Sequence, residues 1–341
     1  MKKQIVCILF LLLKGSLFFG QDIHFTQFYH SPLTLNPALT GDISDNNLRY
    51  SANYRNQWYT INSPYVTTSI ALDAKVMEER LHKDALGIGL LLINDQSGAA
   101  SLNNLALHFS LAYRKYLGIE KKHLAVLGIQ AGFFQKKLDM SKLNFGSQYQ
   151  DGNFNNAMNS GENTSDFKKS NADINAGIMY AYSPDTKIKN IKAGISIYHI
   201  NKPNESLSGN FDVLSIRTAF FIESRIQLKE DLFLCPKLLQ MNQQAASQTN
   251  LSIVVEKRLQ NTEDMKTALL IGTGVRLSDA SIFMAGMKYN QWMFALSYDV
   301  NNSELAQVTN SQGAIELSLI YHELVIPGKN KIPHIVPCPR M

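Results

Sequence analysis

The sequence predicts an all-β fold, a transmembrane antiparallel up-and-down β-barrel of about 14 strands. Two observations predict it: an export signal at the N-terminus, and a long series of segments after Leu48 in which apolar and polar residues alternate. Alternation with a period of two is typical of strands that bury one face. Because lipid offers the backbone no hydrogen-bond partner, a sheet that spans a membrane must close and leave no edge.

Residues 1–20 have the organisation of a secretory signal peptide. Lys2 and Lys3 precede an apolar run over residues 5–13, and polar residues follow Gly20. A membrane-spanning helix needs about 20 apolar residues, and Lys14 interrupts the run well before that length. We therefore expect cleavage near Gly20 and export of the mature chain.

The net charge argues against a nucleic-acid partner. The chain has 33 basic and 28 acidic residues, a net charge of +5. Three of the lysines and none of the acidic residues lie in the signal peptide, so cleavage lowers the net charge to +2. A nucleic-acid surface requires a basic patch that this balance does not favour.

The predicted barrel covers residues 48–324. Its first segment alternates Leu48, Tyr50, Ala52 and Tyr54 with Arg49, Ser51, Asn53 and Arg55. In a membrane barrel the apolar set faces lipid and the polar set faces the lumen. A soluble periplasmic β-sandwich or a lipocalin-like barrel shows the same alternation with the apolar face inward, so the pattern alone leaves that alternative open.

Glycines on several strands indicate that something packs inside the barrel. They occur as the pairs Gly87 and Gly89, Gly128 and Gly132, and Gly272 and Gly274. Glycine within a strand often marks a close approach of another backbone. Residues 21–47 are irregular and precede the first strand, so we expect them to brace or plug the lumen. Residues 325–341 form a C-terminal tail.

Two polar stretches, residues 144–171 and 240–250, interrupt the alternating pattern. Outer-membrane barrels place long loops on the extracellular side, and loops often carry function. The first stretch is the candidate partner-contact loop, although a merely solvated loop has the same composition. Its candidate contact residues are Phe145, Tyr149, Phe154 and Phe167.

The sequence contains no motif of a catalytic, cofactor-binding or metal site. The eight histidines are scattered, and neither a HExxH nor a GxSxG pattern occurs. We therefore expect a protein that is not an enzyme and binds no cofactor or metal. Cys235 and Cys338 remain after cleavage, and either one disulfide or two unpaired thiols is compatible with export.

Motifs along the mature chain resemble the PorP/SprF family of outer-membrane proteins, which belongs to the type IX secretion and gliding machinery. The most specific is the pentapeptide Tyr54-Arg55-Asn56-Gln57-Trp58. The family opening is matched by Gln27, Pro32, Asn36, Pro37, Ala38 and Gly41, and a later hairpin by Asn94, Asp95 and Gly98.

The resemblance implies an outer-membrane barrel that docks, anchors or helps to export secreted adhesins with a C-terminal sorting domain. The implied partners are outer-membrane lipid, type IX secretion components and such a secreted protein. The alternative is a general outer-membrane porin or solute channel.

Three motif positions carry more specific hypotheses. Asn36-Pro37-Ala38 is either a plain turn or, as we favour, a brace between the N-terminal segment and the barrel. Arg55 and Asp73 both face the lumen on neighbouring strands, and a buried arginine needs a carboxylate, so we predict that they pair. Trp58 is interpreted as an interfacial anchor in preference to a binding residue.

Overall fold

The computed structural model describes residues 22–324, apart from residues 45, 62, 79–80, 82–83, 99–100, 151, 156, 160–166, 208–211, 263–264 and 305. The predicted signal peptide and C-terminal tail lie outside the described residues. Cys338 is part of that tail, so both alternatives, a disulfide with the buried Cys235 and two unpaired thiols, stand as before. No helix in the described part is long and apolar enough to cross a membrane.

Among the described residues, fourteen antiparallel strands form one closed barrel. They are β1 (Leu48–Gln57), β2 (Tyr65–Val76), β3 (Ala85–Ser97), β4 (Leu102–Leu117), β5 (His123–Leu138), β6 (Phe167–Tyr182), β7 (Ile188–Tyr198), β8 (Arg217–Lys229), β9 (Leu232–Gln243), β10 (Ala246–Asn261), β11 (Lys266–Arg276), β12 (Ala280–Tyr289), β13 (Trp292–Asn301) and β14 (Gln312–Glu323).

Each strand pairs with its neighbour along the chain, and β1 pairs with β14 to close the sheet. In the closing pair Leu48 lies opposite Glu323, and Gln57 lies opposite Ala314. The predicted up-and-down barrel is confirmed, and so is the strand number. The polar stretch over residues 240–250, however, is not a loop, because it forms the paired ends of β9 and β10 around a turn of two residues.

The apolar face of the strands points outward. Tyr50 and Tyr54 of β1 are exposed, whereas Arg49 and Arg55 are buried inside the barrel. The same holds around the wall, where Ile271 is 67% exposed. A contiguous apolar surface of this kind suits lipid and not water. The soluble alternative, which requires the apolar face inside, is therefore wrong.

Aromatic side chains cluster on the outer wall where β13, β14 and β1 meet. Trp292 stacks on Phe294 with ring centroids 6.0 Å apart and lies 4.5 Å from Tyr321. Tyr321 in turn lies 6.0 Å from Tyr50. Such rows form the interfacial girdles of outer-membrane barrels.

The N-terminal segment begins at Asp22, runs through the lumen as far as Ile43 and then leads to β1. It forms a 3-10 turn (Phe28–His30), a four-residue α-helix (Pro32–Leu35) and a second 3-10 turn (Pro37–Leu39). Pro32 begins the helix and Pro37 begins the second 3-10 turn, positions where the backbone N–H that proline lacks would have no partner within the element. The apolar side chains of this segment pack in a core with inward-facing apolar residues of β4 to β9, among them Phe221 and Leu239.

The wall glycines make room for the N-terminal segment. A Cβ atom on Gly87 would lie 2.1 Å from the carbonyl oxygen of Thr40, and one on Gly128 would lie 2.3 Å from the backbone nitrogen of Ala38. The expectation from the glycine pairs is thus confirmed for Gly87 and Gly89 on β3 and for Gly128 on β5. It is wrong for the remaining three glycines, because their Cβ atoms would meet only neighbouring strands: Gly132, Gly272 and Gly274.

The two mouths of the barrel differ in their connections. One mouth, the loop-rich mouth, carries the connections over residues 139–166, 199–216 and 302–311. The other, the short-turn mouth, carries connections of at most eight residues and the chain ends of β1 and β14. Outer-membrane barrels have short periplasmic turns and long extracellular loops. The loop-rich mouth is therefore expected at the cell surface.

Candidate functional site

A vestibule opens at the loop-rich mouth. It has a volume of about 900 Å³. Asp22, Ile23 and His24 of the N-terminal segment form its floor, and inward-facing strand residues and loop residues form its wall. Because the segment is buried in the barrel below this floor, a molecule that enters the vestibule meets the segment.

Arg55 lies at the centre of a buried charge cluster at the base of the vestibule, which Arg55 and Arg276 line. Its Nη2 donates to Asp299 Oδ2 at 3.0 Å, and its Nη1 donates to Glu316 Oε2 at 3.2 Å. Arg276 also pairs with Asp299. Thr26 donates its backbone N–H to Glu316 at 2.7 Å and its hydroxyl to Asp299 at 2.8 Å. Arg55 and Arg276 also donate to the Thr26 hydroxyl, so the cluster fixes the N-terminal segment to four strands, β1, β11, β13 and β14.

The predicted pair of Arg55 with Asp73 is wrong. Asp73 instead binds Arg49, with Nη2 and Oδ2 2.8 Å apart, and accepts the backbone N–H of Gly41 at 2.7 Å. The antiparallel register places Arg49 directly opposite Asp73. Arg55 lies six residues further along the strand, about 20 Å at 3.3 Å per residue, which is beyond the reach of the two side chains.

Asn36-Pro37-Ala38 contacts the wall in the middle of the barrel. Asn36 Nδ2 donates to the backbone carbonyls of Ile178 and Ile195, at 3.2 Å and 3.1 Å. Its Oδ1 accepts the backbone N–H of Ala38 at 2.8 Å. One fully buried amide thus ties the segment to β6 and β7 and also caps the following turn, which are the contacts that a brace requires.

A chain of acidic and histidine side chains holds the start of the segment. His199 Nε2 lies 2.6 Å from Asp22 Oδ2, and His199 Nδ1 lies 2.8 Å from Asp173 Oδ1. Asp173 Oδ2 lies 2.9 Å from His108 Nε2. Arg217 approaches Asp22 to 3.5 Å from the neighbouring strand. We call Asp22, His199, Asp173, His108 and Arg217 the upper latch.

The charges of the upper latch stabilise one another. Burial disfavours a charged His199, but the carboxylates of Asp22 and Asp173 raise its pKa to about 9. Burial likewise works against a charged Asp22, yet His199 and Arg217 lower its pKa to about 2. An ion pair between His199 and Asp22 is therefore the state at neutral pH.

The upper latch predicts a pH dependence of stability. Because folding raises the pKa of His199 from 6.5 to about 9, its contribution is complete below pH 6.5 and is lost as the pH rises towards 9. Folding lowers the pKa of Asp22 from 3.8, so that contribution is lost only below pH 3.8. The free energy of unfolding of the detergent-folded barrel, measured with a chemical denaturant, should fall by on the order of 3 kcal/mol between pH 6.5 and 9.

Two histidine variants test whether the upper latch causes this pH dependence. His199→Gln should abolish most of the loss of stability between pH 6.5 and 9. His123→Gln should leave it unchanged, because that side chain bonds Tyr180 away from the latch. If the free energy of unfolding falls with pH equally in the wild type and in His199→Gln, the pH dependence comes from other groups.

A family model described as type IX secretion system membrane protein PorP/SprF matches residues 17–321. The chain belongs to the PorP/SprF family. A membrane protein of the type IX secretion system with this barrel fold lies in the outer membrane and associates with components of that system. The PorP/SprF family is one of secretion proteins and not of enzymes. The comparison with curated proteins finds no match.

Several solved structures resemble this PorP/SprF barrel in shape. The toluene transporter TbuX of Ralstonia pickettii has a TM-score of 0.49 and 12% identity, over 87% of this chain and 94% of its own. The toluene transporter TodX of Pseudomonas putida has a TM-score of 0.48 and 10% identity, over 85% and 92%. At these identities the likeness says nothing about what this chain binds.

The PorP/SprF pentapeptide is divided between the two faces of β1. Tyr54 and Asn56 point outward, whereas Arg55 and Gln57 point into the barrel. Trp58 follows β1 with a positive φ of 55°, and its ring packs edge-on against Tyr65 with centroids 5.1 Å apart. Both rings line the vestibule. The role of Trp58 as an interfacial anchor stays a prediction.

The other PorP/SprF motif residues lie at two places. Gln27 joins the Arg55 cluster, since its backbone N–H donates to Glu316 at 2.8 Å. Pro32 begins the lumenal helix, and Gly41 has a φ of +70° that suits glycine. In the later hairpin, the side chain of Asn94 accepts a hydrogen bond from Asn103, and Asp95 accepts one from the Thr67 hydroxyl. Gly98 has a φ of +72°.

The candidate partner loop carries an exposed aromatic pair. Tyr149 and Phe154 lie opposite each other on two short paired strands of two residues each. Their ring centroids are 5.0 Å apart, and they are 55% and 51% exposed. Phe145 is half-buried and lies elsewhere in the loop, whereas Phe167, also half-buried, is the first residue of β6 and pairs with Leu138. The structure thus brings two of the four predicted contact residues together at the loop-rich mouth.

Sequence reasoning missed most partners in the charge clusters. Glu316 and Asp299 lie on the lumenal face of the last strands, and alternation places them inside, but nothing in the sequence links them to Arg55. His199 lies in a loop, and no spacing connects it to Asp22. In the described part of the chain, no three or more His, Cys, Asp or Glu side chains are arranged so that they could hold a metal ion.

Proposed function

We propose that the protein docks secreted surface proteins with a C-terminal sorting domain at its loop-rich mouth, and so helps to export or retain them without performing chemistry. The observation that carries this proposal is the N-terminal segment, which is buried through the lumen beneath an open vestibule. A barrel filled in this way offers a stable outer platform in place of a wide passage.

The exposed aromatic pair supports a docking role for the long loop. Aromatic side chains are enriched at the energetic centres of protein interfaces, because they bury a large area at little entropic cost. Tyr149 and Phe154 expose about half of their surface away from the lipid-facing wall. A secreted domain that covers them would bury this pair against a rigid barrel.

Replacing both aromatic residues is expected to weaken cargo binding. The variant Tyr149→Ser/Phe154→Ser should lower the affinity of the purified barrel for a sorting-domain fusion at least about tenfold, since a pair of interface anchors is worth several kcal/mol. The fusion should carry a sorting domain from the same organism. Binding can be followed by surface plasmon resonance with the full chain in nanodiscs.

Val308→Ser is the matched control. Val308 is 70% exposed in a different connection of the same mouth, residues 302–311. It should bind the fusion as the wild type does. If the wild-type barrel binds no sorting domain, or if the Val308 variant loses as much affinity as the double variant, the docking proposal fails at this loop.

The alternative of a general porin makes a different prediction. A porin needs a continuous aqueous path, and here the lumen holds the N-terminal segment from Asp22 to Asp42. Purified protein in planar bilayers should therefore conduct far less than an open barrel of fourteen strands. Stable, large single-channel currents from the wild type would favour the porin.

A further inference from the structure

Three cations surround one carboxylate on the lumenal wall near the short-turn mouth. Glu256 of β10 lies 2.7 Å from Arg225 Nη2 and 2.8 Å from Lys288 Nζ. The Nε of Arg258 approaches the same carboxylate to 3.9 Å. Glu256, Arg225, Arg258 and Lys288 are called the basic mouth. It lies outside the vestibule and the upper latch.

The basic mouth has more positive than negative charge. Among the described residues, the ion pairs of these three cations all lead to Glu256. The carboxylate is almost hidden, with 7% of its side chain exposed, whereas Arg225, Arg258 and Lys288 expose 28%, 35% and 42%. The hidden anion orders the cations, and the exposed surface that remains is positive.

The geometry holds these cations apart and ready to bind. Arg225 and Arg258 lie over the ring of Phe233, with guanidinium carbons 3.8 Å and 4.5 Å from its centroid. Arg258 and Lys288 both lie in register with Ala268 of the strand between them. The small Ala268 side chain leaves space between two cations, and stacking reduces the entropy that binding must remove.

We propose that the basic mouth binds an acidic peptide segment of a periplasmic partner protein. The short turns place this mouth at the periplasmic side. The three cations face the inside of the barrel. Lipid headgroups contact the outer wall, so they cannot bind all three cations together. A flexible chain of Asp or Glu residues can enter the mouth and offer several carboxylates at this spacing.

This inference goes beyond the docking of cargo at the loop-rich mouth. It concerns the opposite end of the barrel and different residues. The two proposals can fail separately, because the Tyr149→Ser/Phe154→Ser variant leaves the basic mouth intact, and the variants below leave the long loop intact.

A binding assay with a fluorescein-labelled hexaglutamate peptide tests the inference. The full chain in nanodiscs of zwitterionic lipid should raise the anisotropy of this probe, and added salt should weaken binding. The variant Arg258→Gln/Lys288→Gln should lower the affinity at least about tenfold, because it removes two of the three cations. If that variant does not fold, Arg258→Gln and Lys288→Gln alone should each lower it about threefold.

Lys257→Gln is the matched control. Lys257 is adjacent in sequence to Arg258 but points to the outer wall, where it pairs with Asp231. Its replacement removes one positive charge, as each single variant does, and should leave peptide binding intact. Equal weakening by Lys257→Gln would overturn the proposal, as would full displacement of the peptide by an equal concentration of inorganic phosphate.

A further variant, Glu263→Gln/Asp264→Gln, removes the acidic residues between β10 and β11 in the sequence. Binding should not depend on this change. Binding that appears only in this variant would overturn the proposal, because the chain's own acids would then be the partners of the cations.

Discussion

Replacing Arg55 by methionine is expected to lower the free energy of unfolding by about 3–5 kcal/mol, the usual effect of breaking a buried ion pair on one side. Arg55 is 2% exposed and binds both Asp299 and Glu316. Without its charge, these two carboxylates remain buried, and of the two only Asp299 keeps an ion pair, with Arg276. The cost is therefore the penalty of an uncompensated buried anion.

Urea unfolding of the detergent-folded barrel, followed by loss of heat-modifiable migration, measures this effect. Lys257→Met is the control, because the Lys257–Asp231 pair is about half exposed and exposed ion pairs add little to stability. Adding Glu316→Gln to the Arg55→Met variant should restore part of the loss. A loss for Arg55→Met no larger than for Lys257→Met would contradict the conclusion that Arg55 compensates the buried carboxylates of Asp299 and Glu316.

The barrel could be predicted from the sequence because the direction of each side chain, towards lipid or lumen, is set by its position along its own strand. Whether a residue of β1 faces lipid or lumen depends on the parity of its position, and Tyr50, Tyr54, Arg49 and Arg55 all follow it. Membrane location adds closure, because an edge in lipid would leave backbone groups unpaired. Period, compartment and strand length together therefore predict the class of fold.

The partners inside the barrel could not be predicted because they depend on register and on closure. Arg55 and Glu316 are 261 residues apart, and only the pairing of β1 with β14 makes them neighbours. Parity correctly places both Arg55 and Asp73 in the lumen but carries no information on height along the barrel axis. A shift of one register step would give Asp73 a different partner.

The filling of the lumen was predictable in kind but not in chemistry. Wall glycines such as Gly128 indicate a close approach, and the N-terminal segment provides it. The polar-inside rule for barrels misses the apolar core that Leu35 and Leu39 form with Phe221. That core requires the segment and the wall together, so neither sequence stretch reveals it alone.

Replacing Gly128 by valine is expected to displace the N-terminal segment and convert a poorly conducting barrel into an open one. A Cβ atom at this position would lie 2.3 Å from the backbone nitrogen of Ala38 and 2.3 Å from the carbonyl carbon of Pro37. Both clashes involve backbone, so no side-chain rotation relieves them. The strand of Gly128 is held by its neighbours on both sides, whereas the segment is a single chain, and the segment should therefore move.

Single-channel recording in planar bilayers should detect this as currents at least about tenfold more frequent than in the wild type, in line with the wide lumen that barrels of this size have when unfilled. Gly146→Val is the control, because a Cβ atom there meets nothing within 4 Å. The variant should conduct as little as the wild type. If Gly128→Val folds, migrates as a heat-modifiable barrel and still conducts no more than Gly146→Val, the segment tolerates the added methyl groups. The close contact between Gly128 and Ala38 would then not be what keeps the lumen filled.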